Sequence, residues 1–463
     1  MSTPFATADR ADSTARSRAP SRLPATSCDR IVAAVEEASG NSFCVQVVVR
    51  LDGQLDERLL ARAVRLTLDL QPYLGCRFVR RWIKPYWKRF TDLDSVPFFE
   101  MHEAGNAPAP LERALSQQMD PARDCAVKVI LLRDAVDVLC IKLDHKMGDG
   151  QAAKQYAYLL AETYSKLVED PQYVGSPQPP GDRSFAQVTQ GMSRAERAEM
   201  LQIPTSARKG AREVRNWFLP QPKASQDAPA ASEFLIERIS AERHANIFRY
   251  ACAHKATVNQ VMLAAFARAA VATIPRAALG TSKVIQTVDI RRYLPGKQTS
   301  MPCNLAGMIG VSVRCGVDDP LDCYVAEIRD EMFEMRKEPM GIPRRMMRWD
   351  TTPRGRLFFG CVASGLLTRA VRRYVSRRGP DGFPSRLVLS DVGSISAGSL
   401  TFAGVGAADA FVVSGTVMLS GSLLLSISEF SGTLTISVGF SPRLISEEGV
   451  RSFVRTMVEN LPR

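Results

Sequence analysis

A chain of 463 residues exceeds the roughly 250–300 residues at which a single hydrophobic core usually stops growing, so two domains are expected. With 45% hydrophobic and 23% charged residues it has the composition of an ordinary globular protein, and no stretch approaches the about 20 uncharged apolar residues of a membrane-crossing helix. The net charge of +12 keeps three ligand classes open for a basic surface: the phosphates of a cofactor, an acidic partner protein and nucleic acid.

The first thirty or so residues are rich in Ser, Thr, Ala, Pro and Arg and contain no apolar core of a secretory signal, while Asp9, Asp12 and Asp29 argue against a transit peptide. Residues 1–22 are expected to be a disordered arm. The ten cysteines include no CxxC pair and no companion histidine cluster, a pattern of reduced, mostly buried thiols that suits the cytoplasm; separately, a monomer is expected. No metal site is expected.

Apolar alternation predicts a strand over residues 43–51, and Asp56 opens an amphipathic helix over 56–70. Strands follow over 76–82, 126–132 and 136–143. A helix over 151–168 carries Ala153, Tyr156, Leu159, Leu160 and Tyr164 on one stripe. Residues 23–180 thus read as a mixed α/β layer. Eight prolines among polar residues between 171 and 232 mark a crossover, taken as residues 181–231, with a short helix over 194–201. The second half, residues 232–463, is predicted as a strand over 233–239, helices over 241–253 and 257–270, strands over 284–288 and 308–313, and helices over 321–335 and 366–375. Strands over 386–390, 412–419, 423–429 and 433–440 and a helix over 446–461 complete it.

Between the strand over 136–143 and its following helix stands Asp144-His145-Lys146-Met147-Gly148-Asp149-Gly150. A chain with four histidines has one here at a strand end, where a neutral imidazole is able to take a proton from a hydroxyl or amine. Asp149 is placed to pair with an arginine elsewhere and hold the junction in shape, and Gly148 and Gly150 are expected to supply backbone dihedrals closed to other residues. A lone histidine at a strand end is also a common structural residue, so the motif by itself leaves both readings open.

The order of motifs adds to this. His145-x-x-x-Asp149-Gly150 after a strand, Thr257-Val258-Asn259 opening a helix, Val288-Asp289-Ile290-Arg291-Arg292 closing a strand, then Asn304, and late in the chain Ser390-Asp391-Val392-Gly393 resemble the CoA-dependent acyltransferase superfamily. That superfamily includes chloramphenicol acetyltransferases, plant acyltransferases, wax ester synthases and the condensation domains of peptide synthetases. The resemblance spans about residues 25 to 463 and is closest to its microbial condensation-like or alcohol-acyltransferase-like branch.

It implies an α/β fold of two similar chloramphenicol-acetyltransferase-like halves, each a mixed sheet flanked by helices, with a tunnel between them. His145 resembles the catalytic histidine in that tunnel. Asp149 and Gly150 resemble its structural partners, with Arg291, rather than Arg292, as the arginine that Asp149 pairs with. Asn304, Ser390, Asp144 and Gly148 become candidates for substrate or oxyanion contacts. The implied reaction moves an acyl group from an acyl-CoA or a carrier-protein phosphopantetheine thioester, a co-substrate and not a bound cofactor, to a small-molecule alcohol or amine. Two positions depart from the family: Asp144 stands where condensation domains and wax ester synthases carry a first histidine, and Asp391 replaces an asparagine. These departures keep two other readings open, a stand-alone condensation enzyme joining carrier-bound substrates and a non-catalytic binding protein on the same fold.

Between Arg344 and Arg386 there are eleven arginines and two acids, Asp350 and Asp381. Arg369, Arg372, Arg373, Arg377 and Arg378 fall on one helix face, which is a solvated surface unless it docks a thioester's phosphates or an acidic carrier; no specific nucleic acid is expected. If Arg372 and Arg373 attract the donor, its apparent affinity should weaken as salt shortens the screening length to about 10 Å at 0.1 M. Reversing both to Glu should reproduce that loss with kcat unchanged at saturating donor. Donor affinity indifferent to salt and to the reversal leaves a solvated surface, and tight nucleic-acid binding in a gel shift at physiological salt would replace the thioester.

Overall fold

The computed structural model describes residues 20–39, 43–81, 84–103, 109–202, 232–273, 282–297, 299–337, 387–415, 423–442 and 445–463. Most of the expected arm, the basic stretch with Arg372 and Arg373, and the helix expected over 366–375 lie outside them. In chain order the first half contains β1 (Arg22–Pro24), α1 (Ser27–Ser39), β2 (Cys44–Leu51), α2 (Glu57–Leu70), β3 (Cys76–Val79), β4 (Tyr86–Arg89), β5 (Phe99–Glu103), α3 (Pro110–Ser116), β6 (Val127–Arg133), β7 (Val138–Asp144), α4 (Gly150–Glu169) and α5 (Arg194–Gln202). The second contains β8 (Glu233–Ile239), α6 (Ala241–Ala253), α7 (Val258–Thr273), β9 (Ser282–Asp289), β10 (Ala306–Val313), α8 (Leu321–Lys337), β11 (Leu387–Ser394), β12 (Thr401–Phe402), β13 (Val405–Ser414), β14 (Leu423–Phe430), β15 (Thr433–Phe440) and a last helix, α9 (Glu447–Glu459).

Two six-stranded mixed sheets carry the architecture, in the orders β12-β13-β2-β7-β6-β5 and β10-β9-β11-β14-β15-β8. Only β5 and β6 run parallel in the first, whereas β9, β11 and β14 run parallel in the second. Strand β2 is buried on both faces along nearly its whole length, because α2 and α4 cover one side and α3, with Phe234 and Ile236 of β8, covers the other. Asp56 caps α2 as expected from sequence, its carboxylate accepting from Leu59 N at 2.7 Å. In the second half α7 is apolar all round and lies buried among the sheet, α6, α8 and α9. Among the described residues no helix is long and apolar enough to cross a membrane.

The sequence division at 232 is crossed twice in space. Strands β12 and β13, late in the chain, belong to the first sheet, where β13 pairs antiparallel with β2 from Ala407 opposite Leu51 to Ser414 opposite Val45. Within the stretch read as crossover, Phe185 and Val188 are buried in the core of the second half, and Arg183 is 2% exposed. Charged and short strands such as β4 and β5, and α1 beside the expected arm, carry too little periodicity to stand out in the sequence.

Along much of β13 the outer edge would leave backbone groups unpaired, a liability for any edge strand. Serines of the second sheet take them: Val412 N donates to Ser428 Oγ at 3.1 Å and Val412 O accepts from Ser437 Oγ at 2.7 Å. Ser414 and Ser426 join hydroxyls at 2.5 Å, all of them buried. This seam joins the two sheets through buried hydrogen bonds. Val412 is 0% exposed, so Val412→Asp should cost about 4 kcal/mol or more, the scale of an unpaired buried charge. Calorimetry should show one transition for the native chain, displaced as a whole in the variant; two independent native transitions would show that the seam does not couple the halves.

Candidate active site

Strand β7 ends at Asp144, and one more sheet bond, from His145 N to Phe43 O at 2.9 Å, fixes the backbone where the turn begins. The turn closes on the Asp144 carbonyl, which accepts from Met147 N at 2.7 Å and Gly148 N at 3.3 Å. The Asp144 carboxylate accepts from Lys146 N at 2.8 Å and pairs with Lys146 Nζ at 3.0 Å. Glu36 of α1 also pairs with Lys146. Burial, followed by the charge of Asp144, pushes the Glu36 carboxyl up to about 7. The Asp144 side chain and carbonyl are therefore both engaged in holding the turn.

His145 is partly accessible although it lies deep within the molecule. Its ring packs on Phe43 with centroids 4.5 Å apart, and Nδ1 lies 2.8 Å from Gly148 O. A carbonyl only accepts, so Nδ1 carries the proton and Nε2 keeps the lone pair. Burial lowers the imidazole below its ordinary 6.5, and the ring is neutral at neutral pH. Gly148 has its N–H on Asp144 O and its carbonyl on His145, so both its backbone groups serve the turn.

Neither Gly148 nor Gly150 has a positive φ, contrary to the expectation of special dihedrals. Close approach is the reason for both: a Cβ on Gly148 would stand 2.5 Å from Ala152 Cβ, and one on Gly150 would stand 2.8 Å from Val392 Cγ1. Helix α4 thus starts against β11 of the other half. Lys154 Nζ donates to Val392 O at 2.7 Å and Ser394 O at 2.9 Å, and Gln151 Nε2 donates to Val392 O at 3.0 Å. There β11 bulges between Asp391 and Gly393, with Gly393 at φ 72°.

Asp149 caps α4, accepting from Ala152 N at 3.0 Å, and also accepts from Leu305 N at 2.8 Å. Arg291, in a 3-10 turn after β9, reaches it with both terminal nitrogens at 2.9 Å and donates to Cys303 O at 2.7 Å. Burial alone would raise the Asp149 carboxyl; the Arg291 charge and these hydrogen bonds outweigh it and hold it below the ordinary carboxylate value. Arg292 is exposed and takes no part. Next in the chain, Asn304 places Nδ2 at 3.4 Å from His145 Nδ1 and 3.5 Å from His145 O; with Nδ1 protonated, only the carbonyl is available to accept.

Ser390 Oγ accepts from Thr287 at 2.9 Å, which leaves its own hydroxyl proton available. Asp391 accepts from Asn259 at 2.7 Å and from Gly393 N at 2.9 Å. A separate cavity of about 530 Å³ in the first half is walled by Glu36, Arg77, Arg80, Asp144 and Lys146 among others, and His145 is not part of its wall. Among the described residues no three His, Cys, Asp or Glu side chains converge as metal ligands.

The residues that sequence reading missed are Arg183 and Lys154, each lacking a motif. Arg183 donates to the Lys146, Met147 and Pro302 carbonyls and to Asp29. For the central pair, Asp149→Ala and Arg291→Ala should each cost about 3–5 kcal/mol, because each leaves a buried charge alone. The double variant should cost clearly less than their sum in a denaturation cycle; additive losses would mean that the two charges do not act as a pair.

No protein-family model and no curated protein matches the chain. Solved structures do. A trichothecene 15-O-acetyltransferase from Fusarium sporotrichioides aligns at a TM-score of 0.67 and 12% identity, covering 95% of each chain. The first condensation domain of the CDA synthetase aligns at 0.60 and 16%, covering 95% of this chain and 96% of its own. Polyketide synthase associated protein 5 from Mycobacterium tuberculosis aligns at 0.59 and 15%, covering 92% and 95%. With its two mixed sheets and flanking helices, the chain shares the two-halved, chloramphenicol-acetyltransferase-like fold of these structures.

Proposed function

We propose that this protein is an acyltransferase that moves an acyl group, other than an aminoacyl group, from a thioester to an alcohol or amine with His145 as general base. The observation that carries the reading is the bond from His145 Nδ1 to Gly148 O, which leaves Nε2 unprotonated on a partly accessible ring. The acceptor's O–H or N–H gives its proton to Nε2 as its oxygen or nitrogen attacks the thioester carbon. A tetrahedral oxyanion results, for which the Ser390 hydroxyl is the candidate donor. On collapse the C–S bond breaks and the imidazolium returns the proton to the leaving thiolate, so the enzyme ends as it began. The thioester is carried by CoA or by a carrier-protein phosphopantetheine, and the acceptor is a small molecule. The neighbours named above, an acetyltransferase and a condensation domain, support this class of reaction.

Purified protein incubated with mixed acyl-CoA esters and alcohol or amine acceptors should yield acylated acceptor by mass spectrometry, and His145→Ala should reduce turnover by about 10²-fold or more. Near-native turnover in that variant would remove the mechanism. Turnover that needs both substrates on carrier proteins and forms an amide would instead identify a condensation enzyme.

The pH dependence follows from the lowered imidazole. Because the neutral ring is the active form and its protonation in the folded protein falls below 6.5, kcat/KM should stay level as pH drops to that value and decline only below it. A decline centred above 6.5 would contradict the base assignment.

A further inference from the structure

We propose that Arg183, from the stretch between the halves, is a positioning residue that sets the protonation pattern of His145; only its kinetic consequence rests on the acyltransfer reading. Arg183 is 2% exposed. Its Nε donates to Pro302 O at 2.9 Å, and its terminal nitrogens donate to Asp29 at 2.9 and 3.3 Å, to Lys146 O at 3.2 Å and to Met147 O at 2.7 Å. Asp29, 1% exposed, is held in turn by Trp87 Nε1 at 2.8 Å and Thr26 Oγ1 at 2.7 Å. The guanidinium lies 4.6 Å from the Tyr73 ring centroid and 5.6 Å from that of Trp87.

Its contacts fall on two segments that meet at the imidazole. In the first, Met147 C=O and Gly148 N–H share one rigid peptide plane. Arg183 holds the oxygen end of that plane and Asp144 O holds the nitrogen end. With the plane fixed, the next carbonyl, Gly148 O, is aimed at Nδ1. In the second segment, Arg183 holds Pro302 O and Arg291 holds Cys303 O, which presents Asn304 to His145. A lysine keeps the charge but not the planar fork, and its single nitrogen is unable to reach Asp29, Met147 O and Pro302 O together.

The test is ¹⁵N NMR of histidine-labelled full-length protein, with the His145 signals assigned by their loss in His145→Gln, comparing native chain, Arg183→Lys and Asp29→Asn. The native ring should show protonated Nδ1 and a lone pair on Nε2. Arg183→Lys should shift the population towards protonated Nε2 and, with an active substrate pair, lower kcat by about 10²-fold, the scale of a small misplacement, with KM for the thioester little changed. A folded Arg183→Lys with the native tautomer overturns the proposal, as does a native ring without protonated Nδ1. If neither Arg183→Lys nor Asp29→Asn folds, Arg183 is a folding strut and the proposal is lost. Absence of turnover with every thioester would sink the functional reading and leave the tautomer result to decide this one.

Discussion

Everything near His145 hangs on one buried carboxylate. Asp149 accepts four hydrogen bonds, two from Arg291 and one each from Ala152 N and Leu305 N, enough to occupy the lone pairs that a carboxylate directs. The same group starts helix α4, ties the two halves and fixes the segment that carries Asn304. A buried ion pair seldom adds stability over an apolar substitute, and its use here is to permit one arrangement only, since each partner is costly without the other.

That saturation determines how the histidine behaves. With no lone pair left over, Asp149 does not bond the imidazole, which is oriented by a carbonyl instead. A carboxylate partner would stabilise the imidazolium; a carbonyl orients the ring with less pull on the proton. Burial then lowers the imidazole's proton affinity. The ring is neutral at neutral pH and keeps its Nε2 lone pair. The Gly148 carbonyl thus sets the tautomer, and burial sets the lowered proton affinity.

Much of this was legible in the sequence, and the limits have physical causes. Strand β8 and helix α6 stand at the expected residues because apolar periodicity and Ser240, whose side chain caps α6, act locally. The pairing of Asp149 with Arg291 was legible through a resemblance in motif order and not through spacing, as 142 residues separate them. Strand β13 reads as one more strand of the second half, and nothing local in residues 405–414 says that β2 is its partner. Arg183 lies among prolines that suggest a loop, and its burial arises from Asp29, Trp87 and three carbonyls that only the folded chain brings together. Gly148 and Gly150 were legible as positions needing glycine but for the wrong reason, since what excludes a side chain is close approach, to Ala152 in the first turn of α4 and to Val392 from the other half.

The two departures from the motif pattern that the sequence resembles have a common explanation in charge. Asp144 stands where a histidine is usual, and a buried Lys146 sits against it at 3.0 Å. Asp391 stands where an asparagine is usual, and it terminates a relay in which Gln286 donates to Asn259 and Asn259 to Asp391. An amide in that place would have to turn its oxygen to Asn259, whereas a carboxylate accepts from any side. Near it lies buried Lys154, lowered to about 8 by burial against the opposing pull of Asp391 and other carboxylates. Each added negative charge is thus answered by a lysine that also makes a structural bond, Lys146 to Glu36 and Lys154 to the bulge of β11. The balance holds the His145 turn and the bulge of β11 beside Ser390 in place, because each lysine bonds the backbone or carboxylate that shapes its segment.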